Sequence, residues 1–133
     1  MKKLGVGIIG TGWVSGEYIR AFKRNPHTEV IAITSRDKAK AIAKAQEYQL
    51  PSCHYFTDPE EMMKMSELDI VCICTPNFMH AEQTMMAAHY GKHIVIEKPI
   101  AIDWSDMKKM KKAVDNAGVV TIVHYQPPFS FSS

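Results

Sequence analysis

Short apolar runs recur along this 133-residue chain at intervals that leave room for one helix between successive runs. Leu4–Ile9, Glu29–Thr34, His54–Phe56, Asp69–Cys74, His93–Glu97 and Val119–His124 each read as a strand. Most are apolar at consecutive positions rather than at alternating ones. A strand that is apolar on both faces has to be covered on both faces, and that is the condition of a parallel sheet sandwiched by helices. The segments between the runs carry helical spacing. Gly12 to Lys23 places Val14, Tyr18, Ala21 and Phe22 on one predicted inner face. Asp37 to Tyr48 does the same with Ala39, Ile42, Ala43 and Ala45, and Asp37 falls in the first turn, where its charge favours the dipole.

The punctuation agrees with that alternation. Asn25-Pro26-His27 breaks the first helix. Thr57-Asp58-Pro59-Glu60 has the form of a capping box, with the Thr57 hydroxyl set to accept the Glu60 N–H, ahead of a short helix to about Met65. Asn77 is the expected N-cap of a helix over Phe78–Tyr90, and Gly91 ends it. Asp103 is placed to cap a helix reaching Asn116, with Trp104, Met107, Met110 and Val114 facing inward, and Gly118 closes it. The expectation is a doubly wound α/β fold with a six-stranded parallel sheet, formed by one domain over residues 1–126. Residues 127–133, with Pro127 and Pro128, read as an extended tail or a cut linker.

Charge and composition exclude several classes. A net charge of +2 points to neither nucleic acid nor a membrane surface. The basic run Lys108-Lys109-Met110-Lys111-Lys112 reads as the solvated face of a helix. No apolar run approaches the roughly 20 residues that span a bilayer, and the N-terminus has no signal-peptide core, so a cytoplasmic location is expected. Cys72 and Cys74 stand at i and i+2 on one strand face, and Cys53 is alone. With no second ligand pair for zinc, they read as reduced, buried thiols, and no metal is expected.

Chemistry concentrates just after the strands, the edge at which open parallel sheets bind ligands. Gly10-Thr11-Gly12 follows the first strand and opens the first helix. Gly10 allows a tight turn, Gly12 has no Cβ to hold a phosphate away, and the helix N-terminus presents free N–H groups. Together these suit a dinucleotide pyrophosphate. Ser15 replaces the third glycine of that fingerprint; it is small enough for close helix packing. After the second strand stand Thr34, Ser35 and Arg36, with no carboxylate before Asp37. Ser35 is able to donate to a phosphate oxygen, and Arg36 to pair with a 2′-phosphate, so NADP is favoured over NAD. The alternative reading of Arg36 is a solvent-exposed loop residue.

Gly10-Thr11-Gly12-Trp13, Cys74-Thr75-Pro76-Asn77-Phe78-Met79-His80 and Glu97-Lys98-Pro99, in this order and spacing, resemble the N-terminal domain of the Gfo/Idh/MocA oxidoreductases. The resemblance extends to about residue 126. It implies binding of NAD or NADP and hydride transfer with a sugar, polyol or related carbonyl compound. It implies that Gly10, Thr11, Gly12, Trp13 and Val14 hold the pyrophosphate and that Ser35 and Arg36 meet the adenosine ribose or its phosphate. It places Thr75, Pro76, Asn77 and His80 along the cofactor's middle and nicotinamide side. Glu97 and Lys98 approach the nicotinamide ribose, and Lys98 is the implied catalytic residue, orienting the substrate oxygen. Pro99 is implied to aim Lys98. His80 read in isolation is a partly exposed polar residue at a helix start, Lys98 a loop lysine and Glu97 a strand-end carboxylate.

Members of that family carry a second, substrate-binding domain after the sixth strand, which this sequence lacks. The expectation is therefore a cofactor-binding half with little or no turnover alone, and with apolar surface that invites self-association. A second reading is a non-catalytic dinucleotide-binding or sensory module that acts through a partner chain.

Overall fold

In a computed structural model, which describes residues 2–97 and 104–124, the described residues form one parallel sheet with helices on both faces. The elements are β1 (Leu4–Ile9), α1 (Trp13–Arg24), β2 (Thr28–Thr34), α2 (Lys38–Glu47), β3 (His54–Phe56), α3 (Pro59–Met63), β4 (Leu68–Ile73), a 3-10 turn (Asn77–Met79), α4 (His80–His89), β5 (His93–Glu97), α5 (Trp104–Ala117) and β6 (Thr121–His124). The strand order is β3-β2-β1-β4-β5-β6. Chain direction across the sheet reverses between β1 and β4, the switch point at which ligands bind in such folds.

The strands divide the core into two clusters. Ile9, Leu68, Val71, Ile73, Ile94 and Ile96 pack with Met62 and Met63 of α3 and with Ala87 and Ala88 of α4. Val6, Ile8, Val30, Ile33 and Cys72 pack with Ile19 of α1 and with Ala41 and Ala45 of α2. Both faces of the central strands are thus buried, as their unbroken apolar sequence requires.

Local expectations are corrected in each of the five helices. The inner face of α1 is Ser15, Gly16 and Ile19, with Tyr18 and Phe22 half-buried, while Ala21 is exposed. Its rotation follows from Gly16, where a Cβ would strike the Tyr48 hydroxyl, so this is the side on which the helix approaches its neighbour. On α2 the buried residues are Ala41 and Ala45, whereas Ala39 and Ala43 face solvent; Asp37 lies one residue outside the helix as its N-cap and accepts the Ala39 N–H at 3.0 Å. Asp58, not Thr57, caps α3, accepting the Glu60 N–H at 3.0 Å, because Pro59 takes the first helical position and leaves Thr57 one residue too early. Asn77 opens the 3-10 turn instead of capping α4, whose N-cap is Met79 without a side-chain bond. On α5, Met110 and Val114 pack inward as expected, but Met107 is exposed. The Asp103 cap and the tail over residues 127–133 lie outside the described residues.

Gly91 ends α4 with φ +71°, its own N–H donating to Ala88 O and that of Lys92 to Ala87 O, both at 2.9 Å. This paired closure satisfies two carbonyls that the helix end would otherwise leave bare. No helix among the described residues is long and apolar enough to cross a membrane.

Candidate functional site

A cleft of about 500 Å³ opens at the carboxyl edge of β1, β2, β3 and β4. Its floor is Ile9, Gly10 and Thr11; one wall runs from Thr34 to Asp37 with Lys40, and the opposite wall runs from Cys74 to Pro76 with Met79 and Gln83. Thr57 and Pro59 close the β3 side.

The glycine turn has two different physical grounds. Gly10 has φ +105°, and a Cβ there would lie 2.8 Å from Cys74 O, so the backbones of the β1 and β4 ends touch across it. That approach is fixed by the Cys74 N–H donating to Ile9 O and the Gly10 N–H donating to Thr34 O, each at 2.9 Å. Gly12 has ordinary extended backbone, and a Cβ there would meet nothing within 4 Å. Its bareness faces open space at the N-cap of α1. That N-cap makes no side-chain bond, and the first turn of α1 has no acidic residue. The Ser15 hydroxyl, fully buried, donates instead to Gly12 O at 2.6 Å and braces the turn from within. An uncapped helix end behind an unobstructed glycine fits a pyrophosphate, because the N–H groups left without intrahelical partners are what an anion needs.

On the β2 wall, Ser35 is buried; its hydroxyl lies 3.3 Å from the Thr11 hydroxyl and accepts the Asp37 N–H at 3.4 Å. Arg36 is exposed at the cleft. Lys40, which the sequence reading passed over, joins it from the first turn of α2. The signal was available: cations at a helix N-terminus oppose the dipole, so Lys38 and Lys40 in that position ask for a reason.

The β4 wall is held by a polar clamp. The Thr75 hydroxyl donates to Gln83 Oε1 at 2.5 Å, and His80 Nε2 lies 2.7 Å from Thr75 O. A carbonyl only accepts, so Nε2 carries the proton and Nδ1 is left as a buried acceptor with no partner. His80 is 2% exposed, contrary to its reading as a partly exposed residue, and it does not reach the cleft surface. Burial pushes its pKa below the ordinary histidine value, against a smaller opposing effect of the Thr75 bond. Gln83, also absent from the sequence reading, is the α4 residue that lines the cleft.

The structure brings Gly10, Thr11, Ser35, Arg36, Thr75 and Pro76 to one cleft. Gly12, Trp13 and Val14 lie beyond it at the start of α1, with Trp13 76% exposed, and Phe78 is 77% exposed on the turn after β4. Asn77 falls in that turn, and Glu97 ends β5 in register with His124. Lys98 and Pro99 lie outside the described residues. Among the described residues no cluster of three or more metal-ligating side chains occurs.

The sequence pattern of the oxidoreductase family with an NAD-binding Rossmann fold, Gfo/Idh/MocA, matches residues 4–125. The chain belongs to this family. Among Gfo/Idh/MocA relatives, it is 30% identical over 125 residues to a 4-carboxy-2-hydroxymuconate-6-semialdehyde dehydrogenase of a Sphingobium species, covering 94% of this chain and 39% of that protein. It is 31% identical over 113 residues to an NADP-dependent scyllo-inositol 2-dehydrogenase of Bacillus subtilis, covering 85% and 34%. Among solved structures it is similar to the WlbA dehydrogenase of Bordetella pertussis, described in complex with NADH and UDP-GlcNAcA. The TM-score is 0.83 at 29% identity, covering 92% of this chain and 37% of that one. The chain spans about a third of the length of the curated relatives it matches.

Proposed function

We propose that this chain binds NADP in preference to NAD, as the cofactor-holding part of a Gfo/Idh/MocA oxidoreductase acting on the CH–OH group, or the carbonyl, of a sugar, polyol or related compound. The observation that carries the preference is the cation pair Arg36 and Lys40 at the cleft wall beside buried Ser35. Two positive groups at a helix N-terminus repel its dipole, each by about 0.3–1 kcal/mol. A 2′-phosphate would offset that cost and take a hydrogen bond from Ser35. The specific observation on the other side is Asp37, a carboxylate at the same wall that could accept from a ribose 2′-hydroxyl. One of its oxygens is already engaged with the Ala39 N–H, which weakens that reading.

Thr11, Gly12, Trp13 and Val14 are proposed to meet the pyrophosphate through backbone N–H groups, with Gly10 forming the turn. Thr75, Pro76 and Asn77 are proposed to run along the cofactor toward the nicotinamide, with His80 positioning Thr75 from behind. Glu97 ends β5 and Lys98 and Pro99 come next in the sequence, where the family resemblance assigns Lys98 to the substrate oxygen. The bound nicotinamide supplies the hydride acceptor or donor. Whether the whole protein turns over substrate or serves as a sensory module is decided by Lys98→Met. An enzyme loses turnover with its NADPH affinity kept, and a sensor shows no turnover to lose.

The cofactor test is a titration of NADPH and NADH by quenching of Trp13 emission in a Trp104→Phe background. NADPH is expected to bind at least ten-fold more tightly, and Arg36→Ala and Lys40→Ala each to reduce that ratio. Equal affinity for the two cofactors in the unmodified chain would overturn the preference. The 133-residue chain alone is expected to bind without appreciable turnover. Hydride transfer needs a carbonyl held at near-attack distance, and the described residues build the cofactor's wall only. Robust steady-state NADPH oxidation with sugar carbonyls would contradict this.

A further inference from the structure

Gln83 is a polar side chain at 2% exposure that lines the cleft, and no contact proposed for the cofactor uses it. Its Oε1 accepts the Thr75 hydroxyl at 2.5 Å. A hydroxyl has one hydrogen, so Thr75 Oγ1 is left with lone pairs only, and both hydrogens of Gln83 Nε2 are left without an acceptor among the described residues. The side-chain polar atoms sealed inside the described fold without a partner are His80 Nδ1, Thr84 Oγ1 and Thr121 Oγ1. Gln83 Nε2 is not one of them, so it is open on the cleft side. The β4 wall thus carries a donor, Nε2, beside an acceptor, Thr75 Oγ1. The Thr75 methyl faces Gly10, 3.5 Å from where a Cβ there would stand, which turns the hydroxyl away from the glycine turn and toward Gln83.

The place of these two atoms indicates which part of a dinucleotide they meet. The cleft extends from Gly10 toward β2 and β3, with Ser35, Arg36 and Lys40 on the wall opposite Gln83, whereas Gly12, Trp13 and Val14 lie beyond it. On the proposed cofactor reading, on which this inference rests, that is the adenosine side of the pyrophosphate. The lining near the polar pair is apolar, with Pro59, Pro76 and Met79, as the faces of a flat base require. A phosphate offers acceptors only and would set lone pairs against Thr75 Oγ1. The edge of adenine instead carries the N6 amino donor next to a ring-nitrogen acceptor, the complement of an acceptor next to a donor, and a glutamine amide is a known match for it. We propose that Gln83, with its polarity set by Thr75, is the residue that selects adenine in the cofactor: Nε2 donates to a ring nitrogen, and N6 donates to Thr75 Oγ1. His80 acts behind the pair, because its Nε2–H bond to Thr75 O at 2.7 Å holds the backbone that carries the hydroxyl. Hypoxanthine has a carbonyl oxygen in place of the amino group. That oxygen would face Thr75 Oγ1 as a second acceptor and leave buried groups unpaired.

The test is calorimetric titration of the 133-residue chain with NADPH and with deamino-NADPH, its hypoxanthine analogue, which shares both riboses and all the phosphates. NADPH is expected to bind at least ten-fold more tightly. Gln83→Met and Thr75→Val are each expected to bring that ratio below three-fold by weakening NADPH alone, whereas a general loosening of the cleft would weaken both ligands alike. Urea unfolding checks that each variant is folded, and the comparison in the unmodified chain decides the matter if neither is. Equal affinities in the unmodified chain, the result for a polar pair that meets a ribose hydroxyl, would overturn the inference, as would an unchanged ratio in both folded variants. Those outcomes leave the cofactor reading standing; a chain that binds neither dinucleotide would overturn that reading itself.

Discussion

Gly10 and Gly12 stand two residues apart in the same turn and are glycines for unrelated reasons. Gly10 is held at φ +105° over Cys74 O, so Gly10→Ala meets both a strained backbone and a backbone atom at 2.8 Å. A loss of about 1–3 kcal/mol in urea unfolding is expected. Gly12→Ala places its methyl in open space with backbone that any residue adopts, so stability should hold within about 0.5 kcal/mol. NADPH affinity should nonetheless fall ten-fold or more, because the methyl stands where the pyrophosphate would approach. If Gly12→Ala instead lost stability and kept affinity, the roles drawn for the two glycines would be wrong. The sequence showed this pair clearly, since strand, turn and helix follow one another within ten residues. It could not show why each is needed, because Cys74 lies sixty-odd positions away. The burial of His80 was hidden for a different reason: its partner, five residues away, is a backbone carbonyl, which no side-chain pattern encodes.

At the scale of elements, α4 acts as the beam behind the β4 wall, and its anchorage is titratable. Burial pushes the His80 pKa below the ordinary value of 6.5. In the unfolded chain His80 takes up its proton near pH 6.5, while the folded chain resists until lower pH. Between the two the unfolded state binds more protons, so stability drains as pH falls through this window. Urea unfolding at pH 7.5 and pH 5.5 should show a larger loss in the unmodified chain than in His80→Gln. An equal loss in both would remove His80 from the pH response. Helix and strand order was legible throughout, because apolar runs and breakers suffice for that. Inner faces were less so. On α2, alanine at 39, 41, 43 and 45 gives no contrast from which rotation could be read, and the packing of its neighbours decides it. The α3 cap was missed by one residue because Asp58 and Thr57 are both good caps, and only Pro59 at the first helical position distinguishes them.

At the scale of the whole molecule, the described sheet is covered in its middle, and among the described residues no strand pairs beyond β6. β6 ends the strand order, and Val120, Ile122 and Val123 beside or within it are each more than two-fifths exposed. An apolar edge strand with unpaired backbone groups is a template for another chain. The 133-residue chain is expected to self-associate in sedimentation velocity at tens of micromolar, and Ile122→Lys to shift it toward monomer; a monomeric unmodified chain would refute this. The architecture was largely legible, since six apolar runs alternating with helices admit few other sheets. The β1–β4 adjacency that makes the cleft has a further consequence for how the chain is born. β1 is central, yet one of its two neighbours includes Asp69, whose carboxylate accepts the Gly5 N–H at 2.9 Å across 64 positions. A ribosome adding about 5–20 residues per second needs roughly 3–13 seconds to deliver that partner. During that interval the glycine turn exists as a peptide with only one flank, and β1 waits for β4 before both of its sides are covered.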